Sequence, residues 1–310
     1  MRWIKKGVIF SSVGENPNMM SHSAIPFAEV NKNGTIRIYF SSRNTKGQSL
    51  PYFLDLNSDN LNEIISVHSE PLFALGELGT FDDNGIMPSC IVNYGNRKYL
   101  YYIGWNPQIT VSYRLSVGLA ISDDSGETFT KFSKGPICDR SINEPYFNTA
   151  PYVIVENKTW KMWYISCTGW KIVNNYPEPQ YHVKYAESCD GINWNKKDIV
   201  CIDYDDFTEA IGRPCVIKEN NIYKMWYSFR SITNYRSSRD SSYRIGYAES
   251  SDGIKWERKD HLVGIEKSDD GWDSEMIEYC HILDINGKKH MFYNGNGFGK
   301  TGFGYAVLEE

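Results

Sequence analysis

Short apolar runs, rich in Tyr, Ile, Val, Trp and Phe, recur along the whole chain and are separated by Gly, Asn, Asp and Ser. No long stretch shows the ~3.6-residue period of an amphipathic helix, whereas short runs bounded by turn residues are typical of strands. The clearest example contains four such runs in succession, at residues 215–218, 223–230, 243–250 and 256–258. We therefore predict four consecutive β-strands in this stretch.

This four-run unit is repeated along the chain. KMWY occurs at residues 161–164 and 224–227, and YAES, DG and W follow it at residues 185–194 and 247–256. Looser copies begin near residues 98 and 290. A repeat of this length indicates a solenoid, a propeller or another array. Alignment on the first strand of each copy gives five equivalent positions, 62, 63, 63 and 65 residues apart: Pro26, Pro88, Pro151, Pro214 and Tyr279.

Four strands per repeat are the arrangement of a propeller blade, so five repeats predict an all-β, five-bladed β-propeller with four antiparallel strands per blade. The last copy stops after a third strand at residues 303–308, and residues 3–10 resemble a lone fourth strand. Pairing of these two segments would close the ring and leave no free sheet edge. We expect one domain, 1–310. Its first four blades should lie at about 20–75, 82–135, 145–200 and 207–262, and its fifth at about 272–310, completed by residues 1–12.

Composition excludes several classes of protein. The net charge of −5 argues against a nucleic-acid surface, and no apolar run is long enough for membrane insertion. The apolar stretch near the N-terminus is too short for a secretory signal. An odd number of cysteines, seven, without metal-ligand spacing predicts a reduced, cytoplasmic protein. We find no phosphate-binding glycine loop and no metal-ligand cluster, so we expect neither a cofactor nor a metal.

Three similar turns carry an acidic residue that we interpret as structural. The pattern Ser-x-Asp-x-Gly-x-x-aromatic occurs at residues 122–129, and shorter versions occur at 188–194 and 250–256. In such a turn the Asp side chain can accept hydrogen bonds from the amides of its own turn, and Gly supplies a positive φ. The turns would join the third and fourth strands, on the face opposite the predicted site.

The first strands of the blades should line a central channel, and its mouth should collect the beginnings of these strands and the ends of the second strands. A residue required by the fold should recur there, whereas one required by a reaction need not. Asp83, Glu209 and Glu278 do not recur, with Glu278 aligned to Arg213. Cleavage of a glycosidic bond needs one protonated carboxylic acid and a second carboxylate, so we predict that these three residues are catalytic. Alternatively, they are solvated or paired with arginines.

Residues that could bind a hydroxyl-rich ligand lie in the same segments. Charged groups can form bidentate hydrogen bonds with such a ligand, and aromatic rings can cover the apolar face of a sugar. The candidate substrate-binding residues are His22, Arg43, Trp105, Tyr146, Asn148, Trp170, Arg213, Arg230, Glu275, Asn294 and Asn296.

The repeat count, the MWY second strands, the YAES-DG-W hairpins and FYNGNG at residues 292–297 resemble a five-bladed superfamily of carbohydrate-active enzymes. This superfamily includes glycoside hydrolase family 43, invertase-like enzymes and mannoside phosphorylases of family 130. The resemblance implies an Asp on the first strand of blade 1, but residues 21–26 read SHSAIP. It also implies that phosphorylases use one carboxylic acid with basic groups that hold phosphate. His22, Arg43, Arg213 and Arg230 could form such an anion site for phosphate, a nucleotide sugar or an acidic sugar.

These observations leave three functional hypotheses. The first is a carbohydrate-active enzyme, a glycoside hydrolase or glycoside phosphorylase, that cleaves or transfers a glycosyl unit at a central acidic pocket. The second is a non-catalytic propeller that binds a glycan or nucleotide sugar in surface-polysaccharide metabolism, suggested by the missing Asp. The third is a propeller that binds another protein.

Overall fold

The computed structural model describes residues 1–12, 14 and 16–309, and the regular secondary structure of these residues consists almost entirely of β-strands. Consecutive strands pair in antiparallel groups of four, which we call units 1 to 5. Unit 1 contains β2 (Ser21–Val30), β3 (Ile36–Arg43), β4 (Ser49–Asn57) and β5 (Asn60–Val67). Unit 2 contains β6 (Gly85–Tyr94), β7 (Arg97–Pro107), β8 (Tyr113–Ser122) and β9 (Thr130–Lys131).

The next two units have the same antiparallel order. Unit 3 contains β10 (Asn148–Glu156), β11 (Thr159–Val173), β12 (Tyr176–Ser188) and β13 (Asn195–Ile202). Unit 4 contains β14 (Glu209–Glu219), β15 (Ile222–Ser231), β16 (Arg244–Ser250) and β17 (Glu257–Arg258).

Unit 5 combines the two ends of the chain. Strands β18 (Glu278–Ile285), β19 (Lys288–Asn294) and β20 (Phe303–Leu308) are completed by the N-terminal strand β1 (Trp3–Phe10), which pairs antiparallel with β20. A short helix, α1 (Asn296–Gly299), lies between β19 and β20. A single parallel pair, Ser49 with Gly85, joins units 1 and 2 into one sheet. The prediction of an all-β fold is confirmed, whereas the closed five-bladed ring stays a prediction.

Every first strand contains a β-bulge, and its position corrects the sequence alignment. The pairing register shifts between Gly212 and Cys215 in β14 and between Glu278 and His281 in β18, with similar shifts in β2, β6 and β10. Arg213 and Tyr279 both have a positive φ inside the bulge. Tyr279 is therefore equivalent to Arg213, and the alignment of Glu278 with Arg213 was wrong by one residue. The fifth repeat has no proline at this place to mark the register.

A buried carboxylate before the first strand recurs in three units. In each, it forms an ion pair with a lysine on the outer strand of its own unit and accepts a hydrogen bond from a tyrosine hydroxyl. Because the arrangement recurs, we interpret it as part of the scaffold. The ion pairs are Asp82–Lys131 (2.6 Å), Glu144–Lys196 (2.6 Å) and Asp273–Lys5 (2.7 Å), and the tyrosines are Tyr102, Tyr164 and Tyr293.

The three acidic turns are held as expected. Asp190 Oδ1 accepts hydrogen bonds from the amides of Ile192 and Asn193, both at 2.8 Å, and Asp252 and Asp124 bind their own turns in the same way. All seven cysteines are free thiols, and only Cys189 is exposed. Within the described residues, no helix is long and apolar enough to span a membrane.

Candidate functional site

A cavity of about 260 Å³ lies where the bulges of all five first strands converge. Its wall includes residues of β2, β6, β10, β14 and β18, so each unit contributes residues of its first strand. The residues of these strands that line it are Ala24, Ile25, Met87, Thr149, Ala150, Gly212, Arg213 and Tyr279.

Aromatic rings form most of the remaining wall. They come from the second and third strands and from the loops beside them: Trp105, Tyr113, Phe147, Tyr181, Tyr235, Tyr243 and Phe298. Two glycines allow close packing here. A Cβ at Gly85 would lie 1.6 Å from Trp105 Nε1, and one at Gly212 would lie 2.3 Å from Ile165 Cδ1. A wall of amphipathic rings is suited to the apolar faces and hydroxyl edges of a sugar.

The charged residues that line the cavity are all arginines: Arg43, Arg213 and Arg236. Arg236 Nε donates to Glu178 Oε1 at 2.9 Å and is thereby neutralised. Arg43, in contrast, is exposed and has no ion pair among the residues that the structure describes, and desolvation by the surrounding wall lowers its pKa. The cavity therefore favours an anionic group, because guanidinium binds carboxylate and phosphate through charge-assisted hydrogen bonds.

His22 lies beside Arg43, since Ser21 and Arg43 are paired residues in unit 1. The imidazole Nδ1 is 3.0 Å from Ser21 Oγ. Burial, followed by the charges of Arg43 and Lys300, lowers the pKa of His22 to about 4. At neutral pH, His22 is therefore an uncharged group at the edge of a positive region.

Arg213 is 1% exposed, and none of its three guanidinium nitrogens has a hydrogen-bond partner within the described chain. Burial lowers its pKa, and the nearby groups that oppose this shift are Cys215, Cys280, Cys90 and Tyr152. These residues lie on the first strands, beyond the bulges. The guanidinium therefore lies among residues of the first strands, and Arg213 is also one of the residues that line the cavity.

Glu278 occupies the position immediately before the bulge of its first strand. The equivalent residues in other units, Ala24, Thr149 and Gly212, line the cavity, and Glu278 is the one residue at this position with a carboxyl group. Glu278 itself is completely buried, and neither carboxyl oxygen has a hydrogen-bond partner in the described structure. Burial raises its pKa well above the usual range, although the nearby hydroxyl of Tyr279 and the charges of Arg230 and Arg236 act in the opposite direction. A raised pKa favours the protonated form of Glu278, which is the state required of a general acid.

Arg230 supports the wall from behind. Its Nε donates to the hydroxyls of Tyr181 (3.2 Å) and Tyr243 (3.1 Å), and its Nη2 donates to the carbonyl of Pro179 (3.1 Å). The guanidinium lies 3.7 Å from the centre of the Tyr235 ring. Because Arg230 is 1% exposed and its donors are occupied, it orients the aromatic wall and is not available to a ligand.

None of the three predicted catalytic residues, Asp83, Glu209 and Glu278, is among the residues that line the cavity. Asp83 Oδ2 accepts a hydrogen bond from the amide of Gly79 at 2.8 Å. Glu209, at the start of β14, forms an ion pair with Arg258 of β17 at 3.0 Å. In this ion pair, an acidic residue at the start of the unit binds a basic residue on the outer strand of the same unit. Asp82, Glu144 and Asp273 form ion pairs of the same kind. This recurrence favours a scaffold role for Glu209.

The structure brings Arg43, Trp105 and Arg213 of the predicted binding residues into the cavity lining. The amide Asn148 is buried and accepts a hydrogen bond from Lys196, while Trp170 packs behind the wall against Tyr113 and Phe147. The remaining predicted residues lie elsewhere: Tyr146 is 40% exposed, Glu275 is exposed, and Asn294 and Asn296 bind neighbouring backbone groups.

Sequence reasoning missed most of the aromatic wall and Arg236. It considered the beginnings of first strands and the ends of second strands but not the beginnings of third strands. Tyr113, Tyr181 and Tyr243 all lie at or near the start of the third strand of their unit. This recurrence of tyrosine was a signal that the sequence contained.

Solved structures with this fold include glycoside hydrolases. A thermostable family-43 glycoside hydrolase has a TM-score of 0.65 and 16% identity, over 94% of this chain and 90% of that one. A putative glycosidase from Bacteroides thetaiotaomicron VPI-5482 has a TM-score of 0.71 and 16% identity, over 98% and 96%. The GH43_1 enzyme from Xanthomonas citri has a TM-score of 0.62 and 13% identity, over 93% and 88%. At such identities the likeness shows the fold, which this chain shares with them.

No protein-family model matches the chain. Two proteins of Mycobacterium tuberculosis match it over their full length and over all 310 residues of this chain. Uncharacterized protein MT1551, from strain CDC 1551 / Oshkosh, is 37% identical, and uncharacterized protein Rv1502, from strain ATCC 25618 / H37Rv, is 36% identical. The chain belongs to the same family as these two mycobacterial proteins.

Proposed function

We propose that the chain is a five-bladed β-propeller that binds an anionic carbohydrate in the 260 Å³ cavity and cleaves or transfers a glycosyl unit there. Five units of four antiparallel strands, with the N-terminal strand completing the last unit, support the propeller arrangement. The shared fold with glycoside hydrolases supports the carbohydrate. Fold alone does not imply function, and the residues of the cavity supply the chemical support.

Two features of the cavity carry the proposal. Among the described residues, Arg43 has no ion-pair partner, and no carboxylate lines the aromatic wall. The rings can cover a sugar, and the guanidinium can form two parallel hydrogen bonds with an oxyanion. A uronic acid, a sugar phosphate, or a neutral sugar with inorganic phosphate satisfies both requirements. A nucleotide sugar meets them through its diphosphate.

Glu278 is the group best suited to protonate a leaving oxygen. In phosphorolysis, phosphate held by Arg43 would attack the anomeric carbon, and the bond from this carbon to the glycosidic oxygen would break. Glu278 would donate its proton to the departing oxygen and regain one from the phosphate, so the reaction needs no second carboxylate. Hydrolysis would need one. The catalytic roles of Asp83, Glu209 and Glu278 all stay predictions, and none of the three is among the residues that line the cavity.

A second candidate function is binding without catalysis. It is favoured by the absence of any carboxylate from the cavity lining within the described residues, and by the complete burial of Glu278. In this case Glu278 is a buried residue that does not contact the ligand, and the ligand is held without being cleaved. The predictions of a cytoplasmic location and of a function without a metal or cofactor belong equally to both candidates.

Thermal stability in the presence of ligands tests the binding step. A ligand that binds only the folded state raises Tm. We expect glucuronate, galacturonate or glucose 1-phosphate to raise the Tm of the wild type, and Arg43→Met to reduce the affinity roughly tenfold to a hundredfold. Arg97→Met is the matched control, because Arg97 is an exposed arginine paired with Asp123. No shift with any anionic sugar, or an equal loss in both variants, would refute the assignment of the cavity.

Turnover then separates the two candidates. Incubation of the protein with glycosides, with and without phosphate, should release products that depend on Glu278 and are lost in Glu278→Gln. Asp83→Asn and Glu209→Gln test the two remaining predicted catalytic residues in the same assay. Ligand-induced stabilisation without product in any condition would favour the binding protein.

A further inference from the structure

A second cavity, of about 300 Å³, adjoins the central one. It lies between an extension of the β11–β12 hairpin and the loop that follows β15. The hairpin contributes Asn174, Tyr176 and Glu178, and the loop contributes Asn234 and Arg236. No residue of this cavity was predicted from the sequence to bind a ligand.

The two cavities share a wall. Tyr235 and Arg236 line both of them. Glu178 fixes this wall, because its carboxylate accepts hydrogen bonds from Tyr235 Oη at 2.7 Å and from Arg236 Nε at 2.9 Å. The Arg236 side chain remains 44% exposed above the pair. A ligand that left the central cavity on this side would pass directly over Arg236 into the second cavity.

The hairpin that forms the second cavity is an elaboration of unit 3. Strands β11 and β12 have 15 and 13 residues, against 10 and 7 for their counterparts in unit 4. Lys171 Nζ donates to the carbonyl of Phe207 at 2.7 Å, and Asn174 Nδ2 donates to Asn234 Oδ1 at 3.3 Å. These contacts anchor the extension at its base and to the opposite loop, so it forms a defined wall.

The chemistry of the second cavity differs from that of the first. Its two charges, Glu178 and Arg236, neutralise each other, so it has no preference for an ion. Asn174 and Asn234 offer amide groups, and Tyr176 offers a ring that is 46% exposed. Amides beside an accessible aromatic face can bind the hydroxyls and apolar face of a neutral sugar.

We propose that the second cavity binds the neighbouring sugar of a carbohydrate chain whose anionic residue occupies the central cavity, with Tyr176 as its stacking platform. This inference rests on the proposed function and specifies its substrate class as an oligosaccharide. The volumes agree with it, because the central cavity alone is smaller than the roughly 300–1,000 Å³ of most ligand sites, whereas the two together fall within this range.

Calorimetry with glucuronate and with the glucuronate–N-acetylglucosamine disaccharide and tetrasaccharide tests the proposal. We expect the wild type to bind the oligosaccharides about tenfold more tightly than glucuronate, from one additional stacked and hydrogen-bonded ring. Tyr176→Ala should abolish this difference and leave the affinity for glucuronate unchanged. Tyr176→Phe should retain most of the difference, because it keeps the ring.

Phe132→Ala is the matched control, since Phe132 is also 46% exposed but lies in unit 2. It should alter neither affinity. Equal affinities of the wild type for glucuronate and the oligosaccharides would overturn the second binding site while leaving the proposed function intact. The second binding site would also be overturned if Tyr176→Ala weakened the binding of glucuronate and of the oligosaccharides equally, or weakened neither. If neither glucuronate nor an oligosaccharide binds the wild type, this inference fails, whereas the proposed function fails only if sugar phosphates and nucleotide sugars do not bind either.

Discussion

Glu278 should impose a pH dependence on the stability of the fold that Glu278→Gln removes. The carboxyl group is completely buried without a hydrogen-bond partner in the described residues, and burial raises its pKa well above 4.5. In the unfolded chain the same group ionises near 4.5. Above this pH the unfolded state binds fewer protons than the folded state, so the free energy of unfolding falls as the pH rises.

The magnitude follows from this linkage. While Glu278 stays protonated in the folded protein, each pH unit above 4.5 lowers the free energy of unfolding by about 1.4 kcal/mol. Between pH 5 and pH 7 the loss reaches roughly 2 to 3 kcal/mol, a large part of the ~5–15 kcal/mol by which proteins are stable. Glutamine has nearly the same shape and does not titrate, so the variant should lack this loss.

Urea unfolding of wild type and Glu278→Gln at pH 5, 6 and 7, followed by tryptophan fluorescence, measures the effect. The variant should gain stability relative to the wild type by about 1.4 kcal/mol for each pH unit. Glu275→Gln, which alters an exposed glutamate in the preceding segment, is the control and should show no such trend. A difference between wild type and Glu278→Gln that stays constant over the three pH values would refute the reasoning. It would show that Glu278 is ionised in the folded protein, with Arg230 and Arg236 compensating its burial.

Three further predictions concern other charged groups. Arg213→Met should raise the free energy of unfolding, measured in urea, by about 1–3 kcal/mol, because it removes a buried guanidinium that has no partner in the described chain. A decrease would show that a bound ion or water forms hydrogen bonds with Arg213. Glu144→Gln should lower it by about 3–5 kcal/mol, because Lys196 would remain partly buried without its counterion, and an unchanged Tm would contradict this. Binding of glucuronate should be constant from pH 5.5 to 8, because its carboxylate stays ionised in this range and the pKa of His22 is about 4, so that its ring stays neutral. A titration of the affinity near pH 6.5 would disprove this.

The strands and their repetition could be predicted because they depend on local sequence. Apolar runs of Tyr, Ile, Val and Trp, with glycine and asparagine turns, define strands independently of distant residues. The predicted strands at residues 3–10 and 303–308 correspond to β1 and β20, and their antiparallel pairing was expected from the incomplete last repeat. The self-contained turns at Asp190 and Asp252 were also predicted, because each aspartate binds amides only two and three residues away.

The site depended on tertiary structure. The bulge that makes Tyr279 equivalent to Arg213 is a property of the β18–β19 register, which the sequence of β18 does not mark. Whether a carboxylate is free, paired or buried is decided by residues far away in the chain. Arg258 binds Glu209 across 49 residues, whereas nothing within the described chain pairs with the carboxyl of Glu278. Local sequence therefore determined the strands and turns, and only packing between units decided which polar groups line the cavity, because burial and electrostatic environment are properties of neighbours in space.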